Sequence, residues 1–287
     1  MSTFHTVKQL IHETATAWVD DYASSLGAAI SFYTLFSLAP LLLIVISISG
    51  LIFGADAARG EVFSQLRQLL GEDGARAVER LLASANANHS GSWGTIGGAV
   101  MLLIGASSVF GELQNAFDRI WSVPTSVKTS AWWNVIQTRL ISFGMILALG
   151  FLLIVSLAVS AGLAAWSKWW SPIFGQWQFL SELTNFVVSF LLITSMFALI
   201  YKTMPRVKLT WNDVWVGAGV TALLFVAGKF LIAQYIARVG VASEFGAATS
   251  IVILLIWVYY SAQLFLAGAE FTWVYAHRIG SLKSLAS

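Results

Sequence analysis

From Phe245 to Ala269 the chain reads FGAATSIVILLIWVYYSAQLFLAGA, with no charge between Glu244 and Glu270. As an α-helix rising about 1.5 Å per residue, this stretch is roughly 37 Å long. That exceeds the roughly 30 Å hydrocarbon core of a bilayer. A charge at the bilayer centre costs at least roughly 2.5–3.5 kcal/mol, so charge-free intervals of this length mark membrane spans.

Working outward, five more intervals qualify. They lie between Asp21 and Asp56, between Arg80 and Glu112, between Arg139 and Lys168, between Glu182 and Lys202, and from Asp213 to Arg238 with Lys229 inside. The sequence therefore predicts an all-α, polytopic, six-transmembrane-helix bundle forming a single membrane domain over residues 1–287. Its spans fall at about 27–53, 93–117, 134–166, 182–202, 212–237 and 245–276. Composition agrees: 57% of residues are hydrophobic and 10% charged, against roughly 25% charged in a soluble domain. Pro40 is the one proline inside a span and is expected to kink it.

Asp20 and Asp21 precede the first apolar run, where a cleaved signal peptide would carry a basic start. Retention of that span is expected, despite Ala55-Asp56-Ala57 just beyond it. An even span count puts both termini on one side. Lys8, Arg119, Lys128, Arg139, Lys202, Arg206, Lys208, Arg278 and Lys283 share that side, against Arg59, Arg67, Arg76, Arg80, Lys168 and Arg238. The positive-inside rule makes the termini cytoplasmic.

Two amphipathic regions lie outside the spans. Phe4, Val7, Ile11, Trp18 and Tyr22 recur at helical spacing and predict an interfacial helix within residues 1–24. Val62, Leu66, Leu69 and Leu70, then Val78, Leu81 and Leu82, predict two short periplasmic helices in an extracytoplasmic helical loop over residues 55–92. A break is expected at Gly71-Glu72-Asp73-Gly74. Paired tryptophans at Trp132 and Trp133, Trp169 and Trp170, and Trp211 and Trp215 fit interfacial anchors at span ends.

Four segments carry a family resemblance: Ala28-Ala29-Ile30-Ser31-Phe32-Tyr33-Thr34-Leu35-Phe36-Ser37-Leu38-Ala39-Pro40-Leu41-Leu42, Leu113-Gln114-Asn115-Ala116-Phe117-Asp118-Arg119-Ile120-Trp121, Tyr201-Lys202-Thr203-Met204-Pro205, and Ile256-Trp257-Val258-Tyr259-Tyr260-Ser261-Ala262-Gln263 closing in Gly268-Ala269-Glu270. In this order they resemble the YihY/BrkB family of bacterial inner-membrane proteins, once labelled ribonuclease BN. The resemblance implies a six-helix fold in the bacterial inner (plasma) membrane and a role centred on envelope integrity or lipid transport.

Ionisable residues inside spans are functional hypotheses by default. Lys229 lies roughly 24 Å along the fifth span and Glu270 roughly 37 Å along the sixth, so the two should not meet. Lys229 either snorkels to the outer interface or faces inward toward an anionic group such as a lipid phosphate. At the cytoplasmic level, Glu112, Asn115, Arg119, Arg139, Lys202 and Glu270 form a candidate polar cluster in which cations match the two glutamates. It reads either as helix-end charges at the headgroups or as a gate or lipid-headgroup site. Ser31, Tyr33, Thr34, Ser37 and Pro40, with Lys229 and Gln263, are the candidate cavity or path; interhelical hydrogen bonding explains the same hydroxyls equally well. Gly94 with Gly98, and Gly217 with Thr221, suit close helix packing.

A nuclease needs metal ligands or an acid and base gathered on a basic surface. His5, His12, His89 and His277 are dispersed, net charge is only +2, and there is no cysteine. No catalytic residue, metal site, cofactor or nucleic-acid partner is expected, and no phosphate-binding loop appears. Membrane lipids are the expected partners. An anionic lipid or other amphiphilic substrate suits a transporter; a non-transporting envelope-integrity factor is the alternative.

Overall fold

A computed structural model describes residues 3–87, 108–109, 111–122, 178–207, 209–239 and 249–283. Among these residues every regular element is helical. α1 covers Thr3–Asp20, α2 Ala23–Phe53, α3 Ala55–Ala87, α4 Gln178–Thr203, α5 Trp211–Val239 and α6 Thr249–Arg278. A shorter helical segment runs over residues 111–120. Three described stretches are long and apolar enough to cross a membrane, Phe186–Thr203, Trp211–Ile232 and Ile251–Arg278, and Ala23–Leu38 is a shorter apolar helix. The third expected span, most of the second, Gly94, Gly98, His89, Arg139 and the tryptophan pairs at 132–133 and 169–170 lie outside the described residues.

α5 and α6 pack along each other; α4 lies on α5, and α2 and α1 lie on α6. The main core joins the 111–120 segment to α4, α5 and α6 through Phe117, Phe197, Tyr201, Ala218, Ala222 and Phe265; four of these are aromatic. Their rings meet at centroid distances of 5.9 Å (Phe117–Tyr201), 5.7 Å (Phe117–Phe265) and 5.3 Å (Tyr201–Phe265). Such pairs add about 0.5–1.5 kcal/mol each beyond area burial. Two glycines set the helix spacing: a Cβ on Gly268 would overlap the Thr221 and Tyr201 side chains, and one on Gly217 would overlap Thr272. Small residues at a membrane helix interface permit this close approach.

α1 docks through Leu10 and Trp18 and leaves Val7, Ile11 and Val19 exposed. The chain then turns at Asp21 and Tyr22, with Tyr22 in the left-handed region (φ 54). α2 runs unbroken through Pro40.

The expected break at Gly71–Gly74 is corrected: α3 is one continuous helix. Glycine inside a helix costs about 1 kcal/mol relative to alanine. Three features offset that cost. Ala75 and Val78 are buried just beyond the glycines, and Glu72 is flanked by Arg76 at 3.3 Å and Arg67 at 3.6 Å. A second core of Leu42, Ile46, Val62, Val78, Leu82 and Leu254 holds α3 against α2 and α6.

Candidate functional site

On α6, Gln263, Glu270 and His277 recur every seven residues and so share one face. That face looks toward the α1–α2 corner. Glu270 is fully buried (0% exposed), and neither carboxylate oxygen has a hydrogen-bond donor among the described residues. Its neighbour is another carboxyl group, that of Asp21, within hydrogen-bonding reach. Two facing carboxyls repel when both are ionised and bond when one proton lies between them.

Asp21 is set in the turn between α1 and α2. Burial raises its pKa above the ordinary 3.8 and the neighbouring Asp20 adds to this, while Arg119 and the contact with Glu270 pull the other way. The Arg119 Nε lies 3.7 Å from Asp21 Oδ1, and its guanidinium sits 4.9 Å over the Tyr22 ring. The left-handed turn at Tyr22 thus aims the carboxylate inward and the ring under the cation. One residue earlier, Asp118 pairs with Arg206 at 3.2 Å, and burial raises its pKa despite that cation.

Two further contacts close this end of the bundle. Arg278 at the end of α6 grips Glu13 of α1 with two hydrogen bonds, Nε to Oε2 at 2.8 Å and Nη2 to Oε1 at 2.5 Å. Asp213, 3% exposed in the first turn of α5, accepts from Thr210 Oγ1 (2.7 Å), the Ser281 N–H (3.2 Å) and Ser281 Oγ (2.5 Å). Asp213 thus joins the residue that precedes α5 to the segment that follows α6.

Of the residues singled out from sequence, Glu270 and Arg119 come together through Asp21. Lys202 turns elsewhere: its ammonium donates to the Leu209 carbonyl and lies 5.5 Å from the Trp211 ring. Glu112 is half-buried, Asn115 is exposed, and among the described residues neither is bonded to Glu270. Gln263 reaches back to α2, where its Nε2 lies 3.5 Å from the Ala23 carbonyl and 3.4 Å from that of Ser24, while its buried Oε1 has no described partner. Trp121 Nε1 is likewise buried without a described partner, its ring 6.4 Å from that of His277.

The first-span hydroxyls bond within their own helix, Ser31 to the Ala28 carbonyl (2.9 Å) and Ser37 to that of Thr34 (3.2 Å). Tyr33 and Thr34 are half-buried, and the Pro40 side chain lies outside the described residues. Lys229 is remote from Glu270; it lines a crevice between α5 and α6 with Phe225, Trp257 and Ser261.

Three residues absent from the sequence-based sites matter here. Asp21 and Asp213 serve in the sequence only as span boundaries, and a boundary charge carries no sign of which helix it faces. Tyr201 is buried, donating to the Phe265 carbonyl at 2.8 Å and lying 2.9 Å from Thr221 Oγ1. A tyrosine at a span end ordinarily reads as an interfacial anchor, which conceals a buried role.

Residues 14–287 match the family model described as virulence factor BrkB. Similar proteins include a UPF0761 membrane protein of Chlorobium chlorochromatii, 29% identical over 86% of this chain and 55% of its own length. The UPF0761 membrane protein YihY of Escherichia coli is 30% identical over 74% of this chain and 67% of its own length, and a Tolumonas auensis UPF0761 membrane protein is 30% identical over 61% and 55%. The chain spans little more than half the length of the first of these relatives. No solved structure matches it. With apolar helices long enough to cross a membrane and a family match over nearly all its length, the chain belongs to the virulence factor BrkB family of membrane proteins.

Proposed function

We propose that this protein is a six-span bundle of the bacterial inner membrane, both termini cytoplasmic, that handles an envelope lipid or another amphiphilic solute. The observation that carries the reading is Glu270: a carboxyl group wholly buried in a membrane helix, with no described donor and a second carboxyl beside it. An ionisable group in such a place costs several kcal/mol unless it is paired or protonated. A purely structural helix gains nothing from it, whereas a protein that moves polar matter across the bilayer needs such groups. Gln263 Oε1 and Trp121 Nε1, buried in the same part of the bundle without a partner among the described residues, extend the polar material beyond one residue.

A second reading, a non-transporting envelope-integrity factor, is favoured by the interior around Tyr201. There the hydroxyl makes two contacts, to Thr221 and to the Phe265 carbonyl, and the rings of Phe117, Tyr201 and Phe265 pack against one another.

Cysteine scanning decides between them, and the absence of native cysteine gives it a clean background. Single cysteines at residues 28–40, and at 263, 266, 267 and 270 on α6, are labelled in intact membranes with a water-soluble maleimide. The lipid-handling reading expects labelling on the faces bearing Ser31 and Gln263. Uniform protection along both segments would leave the structural reading.

A further inference from the structure

The row Glu270, Asp21, Arg119 leads from the closed interior of the bundle to its surface. Glu270 is 0% exposed, whereas the Asp21 side chain keeps 27% of its surface and that of Arg119, 3.7 Å away, keeps 46%. We propose that Asp21 and Glu270 form a proton-binding site, with the proton held at Glu270 and exchanged with solution through Asp21. The proposal goes beyond the lipid-handling reading and stands without it.

The balance of charge fixes the ligand. A protonated Glu270 has one O–H to donate, and Asp21 is the acceptor within its reach. Asp21 keeps its negative charge toward Arg119, so every charge in the row has a partner. Without the proton, two carboxylates confront one guanidinium, and Glu270 is left with no donor to either oxygen among the described residues. A metal cation matches the site poorly, because hard cations such as calcium gather six or more oxygens. On this face of α6 the buried Gln263 Oε1 lies two turns away, roughly 10 Å along the helix.

The other charged and titratable groups on the packed elements are engaged elsewhere. On α6 itself, His277 is two turns further on, with Nδ1 2.9 Å from the Trp273 carbonyl. On α1, Glu13 is held by Arg278, and Asp20 adds a negative charge beside Asp21. On the 111–120 segment, Asp118 pairs with Arg206 and Glu112 lies two turns before Arg119. Tyr22, at the start of α2, lies with its ring under the Arg119 guanidinium. Tyr201 of α4 donates to the Phe265 carbonyl and Lys202 to that of Leu209. Asp213 of α5 accepts from Thr210 and Ser281, while Lys229 lies beside Trp257 and Tyr260. The charges of α3 are carried by a helix that meets α6 around Leu254, roughly 24 Å along α6 from Glu270. Release then takes two transfers: the O–H bond of Glu270 breaks as one forms on an Asp21 oxygen, and Asp21 passes the proton to water beside Arg119. The reverse sequence loads the site.

The test uses the full chain in nanodiscs and reads protonated carboxyl groups by their C=O stretch in infrared spectra taken from about pH 5 to about pH 9. The expected result is a band that persists at neutral pH, fades reversibly as the pH rises, and is absent in Glu270→Gln. In Arg119→Gln the neighbouring cation is gone, so the proton is bound about tenfold more tightly and the band fades at higher pH. In Asp21→Asn the facing charge is gone and the band fades at lower pH. A wild type with no protonated carboxyl at neutral pH, or a band that survives Glu270→Gln, overturns the site. Should the Glu270 variant not fold, Asp21→Asn decides, and a band that fades at the same pH as in the wild type overturns the site. Exchanging potassium chloride for sodium chloride is expected to change nothing; displacement of the proton by sodium overturns the assignment of the ligand.

Discussion

Asp21 and Asp118 have folded-state pKa values raised by burial, and the sign of the consequence follows. A carboxyl that holds its proton more tightly when folded makes the native state bind more protons than the unfolded one. Stability then falls as pH rises through the window that opens at the ordinary value of 3.8. Thermal melts in detergent from pH 4 upward are expected to show a declining melting temperature, and Asp21→Asn is expected to flatten that decline. A rising melting temperature over the same window would contradict the burial of Asp21 against Glu270. Tyr201→Phe removes the hydroxyl from the Phe265 carbonyl and Thr221; with interhelical hydrogen bonds in membranes worth roughly 0.6–1.7 kcal/mol, a loss of that order is expected in unfolding titrations. At this scale the sequence was legible in part. The cost of a buried charge can be read from composition alone, which is why Glu270 and Lys229 stood out. Their neighbours depend on how helices rotate about one another. That rotation put Asp21 beside Glu270 and turned Lys202 toward Leu209.

Among the elements, the contacts between α4, α5 and α6 depend on absent side chains. Gly268→Val forces two methyl groups against Thr221 and Tyr201. Overpacking of this kind costs typically 1–3 kcal/mol, and the expected outcome is a lower yield of monodisperse protein on size exclusion, with Gly268→Ala intermediate. The α1 clamp is a milder case. Arg278 and Glu13 are partly exposed, and pairs of that kind are worth about 0–1 kcal/mol. Arg278→Ala is expected to leave the melting temperature nearly unchanged while hydrogen exchange in α1 quickens, since the charged clamp is lost and the apolar docking of Leu10 and Trp18 remains. The helices α1, α2, α4, α5 and α6 were readable because hydropathy and charge spacing act locally. The continuity of α3 was not, because Gly71 and Gly74 signal a turn and the packing of Ala75 and Val78 that overrides them is tertiary.

For the whole molecule, two polar regions lie at opposite ends of the α5–α6 pair. The carboxyl pair is beside the helices nearest the chain termini, and Lys229, packed with Trp257 and Tyr260, is toward the other end. Reporter fusions at residues 207 and 283 are expected to fall on the same side of the membrane as the N-terminus, and a fusion at residue 239 on the other. The Asp213 latch also bears on the order in which such a protein is made. The Ser281 donors that complete its bonding lie 68 residues further along the chain. The Asp213 carboxylate therefore keeps only its Thr210 partner until α6 has been made and the backbone beyond it has folded back. Ser281→Pro, which removes both donors at once, is expected to expose the assembling chain to membrane proteases while leaving insertion of α5 itself intact.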